Sequence, residues 1–300
     1  MPKQNIAAAL WLSTGGLAVM SAMSAAIHEV AGTVPTGQII FWRSFVALAP
    51  TLIYLAIRRE LGQSVRTRYP HKHLVRGLLG CAVMFFSFVS LRYLSVGLAT
   101  ALTYLAPILS IAAAMLFLRE RPGATIFVGV VLGFGGILLM LYPTLVGAEL
   151  RDGTLIGIGA GIAMAATNAL SRVQVKDLTR TEPPASIALS FALICSAVGL
   201  ASALFGWVEL QPHEFALLAG AGLLGGLGHV LLMESVARAS VSVLAPYEYT
   251  GIIWAFGFDL VLLGNVPTPW ALAGALVVVA AAAVVAYGQG RFGRRATASA

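Results

Sequence analysis

Apolar residues run along this chain in stretches of about twenty, separated by short polar breaks. They cover residues 5–27, 36–57, 73–93, 96–118, 123–142, 153–173, 185–207, 213–236, 241–263 and 268–288. A hydrocarbon core about 30 Å thick is crossed by roughly 20 helical residues. The pattern therefore predicts an all-α, polytopic membrane protein with ten transmembrane helices. The longest break, Arg58 to Lys72, is a short basic linker, so no loop has room for a soluble domain. The first run follows Lys3 and is rich in small residues from Ser21 to Ala26. It is longer than a signal-peptide core, and it is expected to stay in the protein.

Composition agrees. Hydrophobic residues make up 59% of the 300, and charged residues only 10%, against about 25% in a soluble domain. The net charge of +7 suggests nucleic acid only until its location is traced. With the N-terminus in the cytoplasm, sixteen Lys and Arg residues fall inside, including the basic tail at 291–300. Only Arg92 and Arg151 fall outside, and Arg43 lies within the second span. That asymmetry is a topology signal. It predicts a multi-pass protein of a bacterial inner membrane with both termini cytoplasmic. The partners it implies are the lipid bilayer and a small-molecule substrate; no nucleic acid is expected and no oligomer is required. Cys81 and Cys195 fall inside predicted spans and read as small buried hydrophobes, so neither a disulfide framework nor a metal site is expected. No cofactor is expected.

Sliding the chain on itself by 145 residues brings Gly77-Leu78-Leu79-Gly80 onto Gly222-Leu223-Leu224-Gly225. In the same register Ser95 meets Ser240, Tyr104 meets Tyr249, Pro122 meets Pro267, Gly129 meets Gly274 and Tyr142 meets Tyr287. Two repeats are expected, 1–147 and 148–290. Five spans is an odd number, so the second copy must enter the membrane from the opposite side. Such inverted repeats are common among secondary transporters, whose substrates bind near the midplane between them.

The pattern Ser95-Val96-Gly97-Leu98-Ala99 through Tyr104-Leu105-Ala106-Pro107, then Leu118-Arg119-Glu120-Arg121-Pro122 and Gly129, resembles the repeat unit of the drug/metabolite transporter superfamily, EamA type. The second copy, Ala245-Pro246-Tyr247-Glu248-Tyr249-Thr250 with Gly264-Asn265-Val266-Pro267 and Gly274, is similar. The resemblance covers nearly the whole chain as two units. It implies a ten-helix fold and the export or exchange of small molecules, with YddG-type amino-acid exporters the leading comparison. One departure is Asn265, which stands where the first unit has Glu120.

Ionisable groups inside a span are expensive and mark function by default. His229 shares a helix face with Gly222, Gly225, Gly226 and Met233; the matching stripe on the third span is Gly77, Gly80, Cys81, Met84 and Phe88. A glycine face permits close helix approach or bending, and His229 reads either as a satisfied core histidine or as a site residue. His229 and Glu248 each lie about 14 Å from the cytoplasmic turn at Arg238, level enough to pair, to bind an amino group or to relay a proton. Tyr249, matched by Tyr104, supplies an apolar wall with a polar tip. Pro107 and Pro246 interrupt spans and read as hinges, with Gly225 and Gly226. Arg43 lies about 22 Å from the basic linker; it could snorkel outward, pair with Glu29, or steer a carboxylate. Trp11, Ser21 and Asn168 complete the candidate substrate-binding set with Met84.

Rival classes fare poorly. His213-Glu214-Phe215-Ala216-Leu217 lacks the second histidine of a zinc protease motif, and neither a nucleophile elbow nor a P-loop is present. No filter sequence or charge ring points to a channel. The reading is a secondary transporter exporting amino acids by alternating access, with multidrug efflux or uptake of a larger metabolite as the alternative.

Overall fold

The computed structural model describes residues 6–64, 69–106, 124–146, 153–178, 184–238 and 250–298, with single positions between them. The described residues are helical, with no strand among them. In chain order the helices are α1 (Ile6–Val30), α2 (Thr36–Arg58), the short α3 (Leu61–Ser64), α4 (Pro70–Tyr93), α5 (Val96–Thr103), α6 (Ala124–Val146), α7 (Thr154–Leu178), α8 (Pro184–Ala201), α9 (Pro212–Arg238), α10 (Thr250–Leu263) and α11 (Pro269–Ala298). Six of them, α1, α2, α4, α7, α8 and α9, hold segments long and apolar enough to cross a bilayer. α10 and parts of α6 and α11 are apolar but shorter. The protein is thus a polytopic α-helical membrane protein. Its large side chains at Ile57, Phe134, Leu155, Phe205, Val261 and Leu276 are exposed, a surface that only lipid accommodates.

Local sequence sets the helix ends. α2 stops where Arg59 takes a left-handed φ of 57°, and Glu60 N–H donates back to Leu55 O at 3.0 Å. α4 ends at the extended Leu94, and Ser95 caps α5 by accepting from Leu98 N–H at 3.4 Å. α10 ends before Gly264, whose φ of 67° suits glycine. α11 continues to Ala298, so the tail read as a separate basic segment at 291–300 is mostly an extension of the last helix. A helix favours that continuation because every backbone group but the last few stays paired.

Long-range packing dominates. α1 lies along α9, α4 along α7, and α6 along α11, while α2 packs on both α8 and α9. Glycines set the closest crossings. A Cβ on Gly199 would fall 2.6 Å from the backbone of Phe41, and one on Gly274 would fall 2.5 Å from Gly136 O. One continuous core, from Ile27 and Val30 through Phe88 and Leu102 to Met164, Ala255 and Val278, runs between these helices.

Candidate functional site

A cavity of about 410 Å³ opens at mid-height in this bundle. α1 contributes Ser13, Leu17, Met20, Ser21 and Ser24, all on one helical face. From Ser13 to Ser24 is about 16 Å of rise, centred on the middle of α1. α4 adds Ser87 and Leu91, α5 adds Ala99, Thr100 and Thr103, with Tyr104 following, and α7 adds Asn168. Leu232 and Ser235 come from α9 and Gly251 from α10. Among the described residues the lining is hydroxyls and one amide on an apolar frame, with no ionisable group except the Tyr104 phenol.

Four of those hydroxyls are oriented. Ser24 donates to Met20 O at 3.1 Å, Ser21 to Gly251 O at 3.4 Å, and Ser235 to Ala9 O at 2.8 Å; Thr103 donates to Thr100 O. Each of these four hydroxyl protons is spent on a backbone carbonyl, which leaves the lone pairs of those oxygens as acceptors. Such a wall suits a substrate that donates, such as an ammonium group. Gly251 keeps the Tyr104 end open, because a Cβ there would stand 2.9 Å from the Tyr104 Oη.

A second hollow of about 560 Å³ lies beyond it at the α4–α5 break, lined among others by His28, Arg92, Ser95, Leu98, Asp259 and Asn265. Leu98 faces this vestibule and Ala99 the inner cavity, so the first turn of α5 forms the partition between them. Asp259 of α10 holds that turn: its carboxylate accepts from Val96 N–H at 3.0 Å and Gly97 N–H at 2.5 Å, with only 1% of the residue exposed. A carboxylate at a helix N-terminus satisfies orphan donors and meets the positive end of the dipole. His28 Nδ1 donates to Leu91 O at 2.5 Å beside it.

A third feature lies behind the inner cavity, among α2, α4, α8 and α9. Arg43 is 4% exposed, and its Nη1 donates to Met84 Sδ at 3.7 Å. Arg76 lays its guanidinium over the Phe191 ring, 4.7 Å from the centroid, and the His229 ring is 6.2 Å from the same ring. His229 Nδ1 donates to Gly225 O at 2.9 Å. Cys81 and Cys195 meet here with their sulfurs 3.1 Å apart.

Of the residues singled out from sequence, Ser21, Tyr104 and Asn168 line the cavity together. Met84, Arg43 and His229 form the group behind it. Arg43 neither snorkels nor pairs with Glu29, which is exposed. Trp11 is 79% exposed and sits about 200° around α1 from Ser13, so it turns away from the cavity. α9 runs unbroken through Gly225 and Gly226, which serve here as close contacts to α1 and α2, with Met23, Arg43, Ala47 and Pro50 against them. Glu248, Tyr249, Pro107 and Pro246 lie outside the described residues. Sequence reading missed Asp259, although an acid inside the ninth span satisfies the same rule that selected His229. It also counted Arg76 as cytoplasmic, whereas the side chain turns into the bundle.

A helical bundle enclosing a hydroxyl-lined cavity at membrane depth is the architecture of a multi-pass solute transporter. The chain belongs to the EamA-like transporter family, whose model matches twice, over residues 7–142 and 153–287. It is 25% identical to the pseudopaline exporter CntI of Pseudomonas aeruginosa over 263 residues, covering 87% of this chain and 89% of the exporter. It is 24% identical to an S-adenosylmethionine uptake transporter of Rickettsia bellii, over 84% of each chain. It is 25% identical to a riboflavin transporter of Vibrio cholerae, over 96% of this chain and 95% of that one. A crystal structure with 18% identity shares the fold at a TM-score of 0.65, covering 92% of this chain and 95% of the other. The drug/metabolite transporter resemblance read from the sequence therefore holds, and with it membership among transporters rather than enzymes.

Proposed function

We propose that this protein exports small polar metabolites, foremost neutral and aromatic amino acids, across a bacterial inner membrane with both termini cytoplasmic. The cycle is alternating access between inverted halves at 1–147 and 148–290. The observation that carries this reading is the inner cavity: its acceptor-rich wall is drawn from helices of both halves, at mid-depth, in about 410 Å³. Packing is consistent with a repeated unit. The pair α1–α9 exchanges with α7–α4 when each helix is replaced by its counterpart in the other half. The two separate family matches fit the same division.

In this scheme Ser21, Tyr104 and Asn168 contact the substrate, while Arg43, Met84 and His229 act from behind α4. Glu248 and Tyr249 remain candidates from the ninth span, with Pro107 and Pro246 as hinges. Larger metabolites are the second reading, favoured by a cavity that exceeds one small amino acid and by relatives named for riboflavin and S-adenosylmethionine. Flux into vesicles loaded with protein, against empty vesicles, tests both. Saturable uptake of neutral amino acids, accelerated by the same amino acid on the far side, is expected. Tyr104→Phe and Asn168→Leu should each raise half-saturation about tenfold by removing one substrate hydrogen bond. Flux that neither saturates nor responds to trans substrate sinks the carrier mechanism.

A further inference from the structure

Two arginines and a histidine converge behind the inner cavity, with no counter-charge among the described residues. Arg43 is 4% exposed, and its Nε has no hydrogen-bond partner among the described residues. Arg76 is half-buried in the bundle, and its Nε and Nη1 likewise lack partners among the described residues. Met84 Sδ, a weak acceptor, takes one Arg43 proton, and the Phe191 face meets Arg76. Among the described residues no carboxylate pairs with either arginine. Guanidinium groups stay charged at any accessible pH, and leaving them unpaired inside a bilayer is costly.

The backbone makes room for this arrangement twice. A Cβ on Gly225 would fall 3.1 Å from Arg43 Nε, and one on Gly80 would fall 2.5 Å from Arg76 Nη1. These glycines are the equivalent last positions of the repeated Gly-Leu-Leu-Gly segment, 145 residues apart. Each copy of the motif therefore opens a recess that an arginine fills. The two recesses also share neighbours: Gly225 O holds the His229 ring, and that ring and Arg76 face Phe191. Met84 lies three residues before Ser87 of the cavity wall, so the sulfur that Arg43 holds belongs to a residue about 4.5 Å along α4 from that hydroxyl-bearing one.

We infer that the Arg43–Arg76–His229 cluster is an anion subsite that takes the carboxylate of the transported metabolite. The inference rests on the transport reading above and narrows its substrate class to carboxylate-bearing solutes. The cavity hydroxyls accept from the substrate's ammonium group, and the guanidinium donors receive the carboxylate. A zwitterion thus meets acceptors at one end and donors at the other.

The test titrates purified full-length protein in detergent with acetate, acetamide and chloride at matched ionic strength, reading the thermal unfolding midpoint. Acetate is expected to raise it saturably; acetamide and chloride are not. Arg43→Gln and Arg76→Gln should each weaken the acetate midpoint about thirtyfold, and Arg43→Lys should recover part of it. A purely structural role for the arginines predicts lower basal stability in the variants with the acetate response intact, and that result overturns the proposal. Equal responses to acetate and chloride overturn it in favour of a resident inorganic anion, and no response to any probe overturns it outright. Amino-acid flux measured on the same preparations separates the two readings. Normal flux with an acetate response independent of both arginines removes this subsite and leaves transport standing. Absent flux removes transport, and the acetate titration still reports on the cluster.

Discussion

At the scale of single residues, the costliest side chains in this bundle are the most informative, and the sequence exposed only some of them. Arg43 and His229 are legible because each is the odd ionisable group in an apolar run. Asp259 obeys the same rule, yet its role cannot be read from sequence, because its partners are backbone amides of a helix start 163 and 162 residues away. A backbone N–H carries no side-chain signature. Trp11 errs the other way: an aromatic with a polar tip fits a binding wall and a lipid boundary equally well, and only helix rotation separates the two. Removing the Asp259 carboxylate strands two buried donors. Asp259→Ala should therefore lower unfolding free energy by about 3 kcal/mol, and Asp259→Asn, which keeps one acceptor, by roughly half of that. Denaturation of the purified variants checks the order. An alanine variant as stable as the parent would show that water replaces the carboxylate at no cost.

Helix positions were largely legible, and what was not follows from what periodicity measures. The runs expected at 36–57, 153–173 and 213–236 appear as Thr36–Arg58, Thr154–Leu178 and Pro212–Arg238. Hydropathy sees where lipid ends, whereas a helix ends where its caps allow, so α7 and α11 outrun their apolar cores. Which helices touch was not legible at all. Cys81 and Cys195 read as unrelated buried hydrophobes, yet α4 and α8 bring their sulfurs to 3.1 Å. That contact crosses between the proposed halves and offers a direct probe of their motion. Treatment with copper phenanthroline removes two protons and two electrons from the thiol pair and joins them. Cross-linking should go nearly to completion and stop amino-acid flux, with reductant restoring it and Cys195→Ser immune. A fully cross-linked protein that still transports would show that α4 and α8 travel as one body.

For the whole molecule, α2 is tied to the other proposed half by side-chain hydrogen bonds near each of its two ends. At the N-terminal end, outer in the proposed topology, Gln38 donates to Val208 O at 2.9 Å and accepts from Val208 N–H at 3.1 Å, and Thr33 donates to Glu214 at 2.7 Å nearby. At the C-terminal end, inner in that topology, Tyr54 donates to Glu234, which also holds Arg238. Between them α2 crosses α8 and α9 on Gly199, Gly222 and Gly226, contacts close enough for one helix to roll on another. Alternating access needs one set of end contacts broken while the other persists, so α2 is the natural rocker and its ends are the latches. Each latch then biases the cycle by the hydrogen bonds it holds, about 1–2 kcal/mol, or roughly tenfold in population. Gln38→Leu should favour the outward-open state and Tyr54→Phe the inward-open one. A cysteine placed at Ser24 in the cavity wall reports the difference through a membrane-impermeant maleimide applied from either side. Gln38→Leu should speed labelling from outside and Tyr54→Phe from inside, each about tenfold. Should both variants label like the parent from both faces, α2 is a fixed strut and the moving contact lies elsewhere.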